Sequence, residues 1–367
     1  MDKIRRMVIK VGTATITEKS GRISPARVQA LTRQIALARG MGIDVAVVSS
    51  GAIAAGMESL GLERRPDSVR QLQAVAAVGQ GALVRVYTDL FAEAGITAGQ
   101  VLLTQHDITR RQQYLNARHT METLFEMGVV PVVNENDTVA TEEITFGDND
   151  MLAALVASLV GADLLVLLTD TEGLFTEDPN RSDGARIVKR VDKVTCEIEE
   201  MGGEAGDLGL GGMSSKLQAA KAAAETGVSV VIADGRSPDT IVRLLKGEEP
   251  GTFFKASGKV TSKKHWIGYA RISKGKLFVD EGAADALVSK GKSLLPAGVV
   301  KVEGRFAVGD CVDVVAPDGR LIARGLASYG SVEARKVKGL RSKQIAGVLG
   351  EKGGEIVHRD EMTVFKR

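Results

Sequence analysis

Cysteine, aromatic residues and long apolar runs are all scarce in this chain of 367 residues. Its two cysteines, Cys196 and Cys311, lie far apart and form no CxxC pair, which is typical of a reducing compartment. The longest run of strongly apolar residues is Leu164–Leu168, whereas a membrane-spanning helix needs roughly 20 apolar residues. The N-terminal segment also lacks the apolar stretch of a signal peptide. These absences predict a cytoplasmic protein without a membrane span.

Histidine is rare as well, and the four histidines are scattered along the chain. Neither an HExxH sequence nor a GxSxG elbow occurs, so neither a zinc protease nor a serine hydrolase is expected. We therefore predict no metal-ligating side chains.

Charge is distributed unevenly along the chain, although the formal net charge is only +2. Residues 1–254 contain 26 Lys and Arg against 34 Asp and Glu, whereas residues 255–367 contain 22 against 12. The N-terminal part therefore has a net charge of −8 and the C-terminal part a net charge of +10, which indicates two units with different partners.

Short apolar segments alternate with helical patterns over the first part of the chain. The apolar segments have no polar alternation, as in strands that are buried on both faces; they lie at residues 7–11, 44–48, 96–103, 129–134, 164–169 and 228–233. Helical spacing is found between them, at residues 25–39, 68–94, 112–127, 150–160 and 214–226. This order predicts an α/β fold for residues 1–254, a three-layer αβα sandwich around a mostly parallel sheet.

The C-terminal part has a different pattern. Residues 255–270 are mostly small, polar or basic and are predicted to form a linker. In residues 271–367, short strand-like segments are separated by glycine-centred turns, with one short helix near residues 283–290. Asp318-Gly319 lies between two apolar segments and indicates a hairpin. We predict a small β-barrel-like domain here.

Polar residues follow or end four of the predicted strands. They are Lys10 with Gly12, Ser50 with Gly51, Asn134 with Asp137, and Thr169 with Asp170. Because ligands of open α/β sheets bind beyond the carboxyl ends of the strands, we expect these residues to converge on one site. Lys10 is suited to hold a phosphate, or alternatively to reach solvent from the strand end. The Ser50-Gly51 loop is suited to bind an anion, or alternatively forms a plain turn before a helix.

A glycine-rich loop precedes the helix predicted from residue 214. Its last residues and the first turns of the helix are Gly211, Gly212, Met213, Ser214, Ser215, Lys216 and Leu217. A lysine in the first turn opposes the helix dipole, so a structural role explains Lys216 poorly and a phosphate-binding role is favoured. The spacing fits neither a Walker A motif nor GxGxxG.

Two acidic residues open the helix that is predicted from residue 150. The sequence Asp148-Asn149-Asp150 is either a helix cap or part of a polar pocket that binds the ammonium group of an amino acid. Two lysines, glycine-loop N–H groups and Mg²⁺ would suffice for phosphoryl transfer to a carboxylate. Such a nucleophile is ionised at neutral pH and needs no general base.

Six segments together resemble the amino acid kinase family. In chain order they are KVGTATIT, VVSSGAIAAG, PVVNENDTVAT, FGDNDMLAALVA, LLTDTEGLFTEDP and GLGGMSSKLQAA. The NEND and GDND pair is most similar to the glutamate 5-kinase members of that family. The C-terminal part resembles a PUA domain, so the resemblance covers essentially the whole chain.

The resemblance implies an ATP-dependent kinase that uses Mg²⁺ and converts L-glutamate to L-glutamyl 5-phosphate, the first step of proline biosynthesis. It implies catalytic roles for Lys10, Lys216 and Asp150. The glutamate site would comprise Ser50, Gly51, Asn134, Asp137, Asp148 and Asn149. The nucleotide site would comprise Lys10, Gly12, Thr169, Asp170 and the segment Gly211, Gly212, Met213, Ser214, Ser215, Lys216 and Leu217.

The resemblance also implies a homo-oligomer (a dimer or tetramer), feedback inhibition by proline and a possible transfer of the product to glutamyl phosphate reductase. Two positions depart from the family pattern: Ala14 replaces a typical serine and Leu210 a typical threonine. Two alternatives stay open at this point. One is another amino acid kinase, of the aspartate or acetylglutamate type; the other is an RNA-binding PUA protein with a degenerate kinase body.

Overall fold

A computed structural model describes residues 4–104, 107–108, 111–139, 149–179, 182, 184–203, 212–257, 273–340, 344–345 and 354–365. The chain divides into two compact units, Met1–Lys259 and Val260–Arg367. Three earlier predictions fall outside the described residues: Asp148, Gly211 and most of the linker, residues 258–270.

The first unit is built on an eight-stranded sheet. Its strands are β1 (Arg6–Val11), β2 (Asp44–Ser49), β3 (Ala98–Leu103), β4 (Val130–Glu135), β5 (Leu164–Thr169), β6 (Arg190–Val191), β7 (Ser229–Asp234) and β8 (Gly251–Phe254). They lie in the order β3-β4-β2-β1-β5-β7-β8-β6. Only the β7–β8 pair is antiparallel among these pairings. The predicted mostly parallel sheet is confirmed.

Helices connect the strands and complete the αβα arrangement. They are α1 (Thr13–Ile16), α2 (Pro25–Gly40), α3 (Ala52–Leu60), α4 (Val69–Glu93), α5 (Arg111–Glu126), α6 (Asn149–Leu159), α7 (Cys196–Met201), α8 (Met213–Glu225) and α9 (Thr240–Leu245). Local signals set several ends: Pro25 occupies the first turn of α2, and Ser68 Oγ accepts from Gln71 N at the start of α4. No helix in the described ranges is long and apolar enough to cross a bilayer.

The core explains why the strand sequences lack polar alternation. Met7, Val8 and Ile9 of β1 are fully buried although successive side chains point to opposite faces. Every residue of β5 is buried, and so is every residue of helix α6 from Leu152 onward. Each such aliphatic side chain stabilises the fold by about 1.5–3 kcal/mol.

Helices α3 and α4 cross at two glycines that bring their backbones into contact. A β-carbon on Gly79 would lie 1.8 Å from the carbonyl oxygen of Ala52 and 2.2 Å from the nitrogen of Gly56. A β-carbon on Gly56 would lie 2.0 Å from the carbonyl oxygen of Val75. These distances are far below van der Waals contact, so only glycine fits at the crossing. The crossing fixes the start of α3, which follows the end of β2.

The second unit has a separate five-stranded sheet. Its elements are β9 (Gly275–Val279), α10 (Glu281–Val288), a 3₁₀ turn (Pro296–Gly298), β10 (Val299–Gly304), β11 (Cys311–Val315), β12 (Leu321–Ala327), α11 (Ser331–Val337) and β13 (Val357–Val364). The strand order is β10-β9-β11-β12-β13. In the described part of this unit, the pairings form an open row rather than a closed barrel.

Local signals account for two turns of the second unit. The predicted hairpin joins β11 and β12, and Gly319 there has φ +84°, which favours glycine. The carboxylate of Asp280 accepts from Ala283 N and caps α10. Helix α11 was not predicted from the sequence, since its seven residues are too few to show a clear periodicity.

Candidate active site

A cavity of about 990 Å³ opens at the carboxyl ends of the central strands. Ten of the predicted site residues line it: Lys10, Gly12, Ser50, Gly51, Asn134, Asp137, Asn149, Thr169, Asp170 and Lys216. They come from β1, β4 and β5, from the segments that follow β1, β2, β4 and β5, and from the first turns of α6 and α8. The eight residues predicted at strand ends therefore meet at one edge of the sheet as expected, and Asn149 and Lys216 join them there.

A buried carboxylate joins the two lysines. Lys10 Nζ lies 2.6 Å from Asp150 Oδ1, and Lys216 Nζ lies 3.1 Å from Asp150 Oδ2. Asp150 is fully buried, and Lys10 and Lys216 are only 3% and 5% exposed. Ionised groups removed from water need partners, and here one carboxylate serves two cations. This three-residue cluster carries a net charge of one positive unit, which suits an anionic ligand.

The main chain aims each member of this cluster. Lys10 belongs to β1, and the backbone N–H of Gly12 donates to the carbonyl oxygen of Leu168 at 3.3 Å, which fixes the strand end. Asp150 lies in the first turn of α6, where a negative charge is favourable. Lys216 lies in the first turn of α8, where its positive charge is compensated by Asp150. The alternative that Lys10 extends into solvent is wrong, because its side chain is buried and paired.

Asn149 connects two of the strand-end loops. Its Nδ2 donates to the Ser49 carbonyl oxygen and to Ser50 Oγ, both at 3.1 Å. The same nitrogen donates to Asn134 Oδ1 at 2.9 Å. Asn134 Oδ1 accepts from the backbone N–H of Glu135 as well, at 2.8 Å. Since the Asn149 amino group is occupied by protein acceptors, the oxygen Oδ1 is the part of this amide that a ligand can use.

The loop after β2 has the backbone geometry of an anion site. Gly51 has φ +110° and precedes α3, and Ala52 and Ile53 in the first turn of that helix line the cavity. First-turn N–H groups have no partner within a helix, so they are available to a negatively charged ligand.

Asp137 is half-buried in the cavity wall, and burial raises the pKa of its carboxyl. Desolvation disfavours the charged form, so this carboxylate gains when a cation approaches it. It is thus suited to bind an ammonium group.

The start of α8 contributes unequally to the site. Gly212 caps the helix, Met213 and Ser214 follow it, and Ser215 Oγ donates to the Gly212 carbonyl oxygen at 2.9 Å and to Asp150 Oδ2 at 3.4 Å. Leu217 is fully buried and belongs to the apolar core. Its side chain is therefore not available to a nucleotide in this structure, in contrast to Lys216.

Sequence reasoning missed part of the cavity wall. An isolated bridge pairs Thr17 with Ile23, and the turn between them places Ser20, Gly21 and Arg22 on the cavity. The signal for this turn was present in Ser20-Gly21, where the glycine has φ +82°. Gln80 was also missed and lies behind Asn134, whose Nδ2 donates to Gln80 Oε1 at 2.7 Å.

Comparisons with known proteins agree with this arrangement. Residues 5–234 match the amino acid kinase family, and residues 275–349 match the PUA domain. A glutamate 5-kinase of Caldanaerobacter subterraneus is 47% identical over 365 residues, which is 99% of this chain and 98% of that protein. A glutamate 5-kinase of Moorella thermoacetica is 47% identical over 368 residues, covering 100% of this chain and 97% of that protein. A third, from Syntrophotalea carbinolica, is 45% identical over 369 residues, covering 100% and 99%.

Identity at this level over nearly the full length of both chains confirms the resemblance seen in the six sequence segments. The chain therefore belongs to the amino acid kinase family, as a member of its glutamate 5-kinase group with a C-terminal PUA domain.

Proposed function

We propose that this chain transfers the γ-phosphoryl group of ATP to the side-chain carboxylate of L-glutamate, giving L-glutamyl 5-phosphate. The feature that carries this proposal is the buried cluster Lys10–Asp150–Lys216 beside the Asn149 amide. One part of the cavity is cationic and suits phosphates, and the adjoining part is polar and suits an amino acid. The names of the full-length relatives support the same substrate pair.

The residues account for the chemistry without a general base. A carboxylate oxygen of glutamate is ionised at neutral pH and attacks the γ-phosphorus, while the β–γ bridging oxygen leaves with ADP. Lys10 and Lys216 would both neutralise charge on the transferring group. Asp150 keeps both ammonium groups in place, since each of its oxygens contacts one of them. The enzyme's contribution is alignment and charge stabilisation.

Mg²⁺ would enter this site with the nucleotide. The described residues include no group of three His, Cys, Asp or Glu side chains that could hold a metal ion, and both Asp150 oxygens are engaged by lysines. Such a donor set fits a cation that is held mainly by phosphate oxygens. When bound, Mg²⁺ would offset charge on the β- and γ-phosphates.

The amino acid would bind where β2, β4 and α6 meet. Asp137 offers a carboxylate for the α-ammonium group, and the first turn of α3 offers N–H groups for a carboxylate. Asn134, Asn149 and Ser50 form the hydrogen-bonded frame between these two ends.

We expect hydroxylamine trapping to identify the substrate. The purified chain is incubated with ATP, Mg²⁺ and L-glutamate, L-aspartate, N-acetyl-L-glutamate or carbamate, with ADP release followed in parallel. Hydroxamate should form with L-glutamate alone, because an acyl phosphate reacts with hydroxylamine. Formation with another acid would replace glutamate in the proposal, and no product with any acid would favour the RNA-binding alternative.

Glutamate binding should weaken in acid because of Asp137. Its raised pKa means that protonation begins at a higher pH than for an exposed aspartate, and a neutral carboxyl no longer attracts the ammonium group. The KM for glutamate is expected to rise as pH falls through this pKa, with kcat changing less. Asp137→Asn serves as the control: it should raise the KM for glutamate at neutral pH, and the further rise of this KM in acid should be absent. An unchanged KM in the Asp137→Asn variant would contradict the role.

Several further properties expected from the sequence stay predictions. They are a cytoplasmic location, a homo-oligomer, inhibition by proline, transfer of the product to glutamyl phosphate reductase and RNA binding by the PUA domain. The RNA-binding alternative with a degenerate kinase body is disfavoured, because Lys10, Asp150 and Lys216 are present and joined.

A further inference from the structure

We propose that Gln80 is a positioning residue of the glutamate site, one that sets the orientation of the Asn134 amide without touching the substrate. This inference rests on the proposed function. Gln80 follows Gly79 on α4, the helix behind the cavity, and it does not line the cavity itself. Its action would reach the substrate through Asn134, Asn149 and Ser50.

A continuous row of hydrogen bonds makes this connection. Gln80 Oε1 accepts from Asn134 Nδ2 at 2.7 Å, and Asn134 Oδ1 accepts from Asn149 Nδ2 at 2.9 Å. Asn149 Nδ2 also donates to Ser50 Oγ at 3.1 Å. The row therefore runs from the helix behind the site to the loop that begins α3.

The row works in only one orientation of the Asn134 amide. Its oxygen faces two donors, the backbone N–H of Glu135 and the Asn149 amino group. If the amide turned over, its own amino group would face those two donors and its oxygen would face Gln80 Oε1. Asn134 is 3% exposed, so water cannot readily repair these unfavourable pairs. The backbone N–H of Glu135 favours the orientation that Asn149 needs, and the acceptor on Gln80 holds the amide in it by pairing with the amino group on the other side.

A contribution to protein stability does not explain why a glutamine occupies position 80. Its Nε2 is buried and has no hydrogen-bond partner among the described residues. An unpaired buried donor is destabilising, and a methionine of similar length would avoid it. Among the described contacts of this side chain, the hydrogen bond from Asn134 is the one that requires an acceptor at position 80.

Helix α4 supports the other substrate loop in the same way, seven residues later. Tyr87 OH and Ser49 Oγ lie 2.9 Å apart in the buried interior, and Ser49 immediately precedes Ser50. Residues seven apart share one face of a helix, so Gln80 and Tyr87 act from the same face. We assign Gln80 the more specific effect, because it contacts a residue of the cavity wall directly.

The test is a set of double-mutant cycles with steady-state kinetics in glutamate and ATP. Gln80→Met removes the acceptor and is expected to raise the KM for glutamate roughly tenfold, with kcat and the KM for ATP changed less than about twofold. Asn134→Ala should raise the same KM, and adding Gln80→Met to it should have no further effect. The matched control is Gln112→Met, which breaks a surface Gln–Asn pair at 3.2 Å and should change nothing.

A second cycle keeps the test decisive if Gln80→Met fails to fold. Gln80→Glu retains an acceptor, so alone it should raise the KM for glutamate only slightly. In an Asn134→Asp background it would place two carboxylates next to each other, and their repulsion should raise this KM far more. The inference would be overturned if the two substitutions of either cycle changed the KM for glutamate independently of each other. It would also be overturned if Gln80→Met lowered kcat and left the KM for glutamate unchanged. A wild-type enzyme without glutamate activity would instead overturn the proposed function, and the same cycles on the acid it accepts would test Gln80 separately.

Discussion

Replacing Lys216 by alanine is expected to lower kcat by about 10²–10³-fold while the protein stays folded. The removed ammonium group lies 3.1 Å from Asp150 in the cavity wall, where we propose that phosphate binds. Loss of a charge that acts mainly on the transferring phosphoryl group should reduce kcat more than it raises the KM for either substrate. Asp150 keeps its ion pair with Lys10, so no unpaired buried charge results.

Lys221 provides the matched control, since it lies on the same helix as Lys216 and is also ion-paired. Its Nζ lies 2.7 Å from Glu199 Oε1, but its side chain is 40% exposed and outside the cavity. Lys221→Ala should leave kcat unchanged, and circular dichroism should show equal helix content in both variants. Lys10→Ala is expected to behave like Lys216→Ala. A near-normal kcat in either would remove that lysine from the mechanism.

Gly79→Ala is expected to destabilise the first unit by about 3 kcal/mol, the upper part of the range for overpacked cores. The added methyl would lie 1.8 Å from the Ala52 carbonyl oxygen, and backbone atoms cannot move aside by changing a rotamer. Thermal unfolding should then begin at a temperature lower by roughly 6–12 °C, given the usual relation between stability and Tm for a domain of this size. Because α3 carries the Gly51 loop, the KM for glutamate should rise as well in the fraction that stays folded.

Gly81 lies on the same helix and separates the local clash from helix propensity. A β-carbon there would meet nothing within 4 Å. Gly81→Ala should therefore stabilise the protein by about 0.5–1 kcal/mol, because alanine loses less conformational entropy in a helix. Equal effects of the two substitutions would contradict the close crossing of α3 and α4.

The sequence was a good guide to the sheet and to the location of the site. Strands such as Leu164–Thr169 are continuous apolar segments, and the polar residues that follow them could be placed at one edge by a general rule. Helix starts at Pro25 and Ser68 were likewise readable, because capping depends on neighbouring residues. These features are local, and local patterns survive in a single sequence.

Contacts between distant residues could not be predicted in this way. Gln80 and Asn134 are 54 positions apart, and nothing in a helical segment shows which glutamine will face a strand end. The sequence left open whether Asn149 caps a helix or forms a pocket, and the structure shows its amide joined to Ser49, Ser50 and Asn134. Such partners depend on how helices pack against the sheet.

The first two residues of α6, Asn149 and Asp150, have roles toward different substrates of the proposed reaction. Asn149 belongs to the hydrogen-bonded frame proposed to bind the amino acid, and Asp150 holds the two lysines that are proposed to contact the phosphoryl group. Their Cα atoms are separated by a single peptide unit, about 3.8 Å. Of the ten residues that follow Asn149 in this helix, all but Met151 are buried, so the helix has little freedom to tilt. Thermal motion of α6 would therefore displace both substrates together, and the gap between nucleophile and phosphorus would stay nearly constant while the rest of the cavity fluctuates.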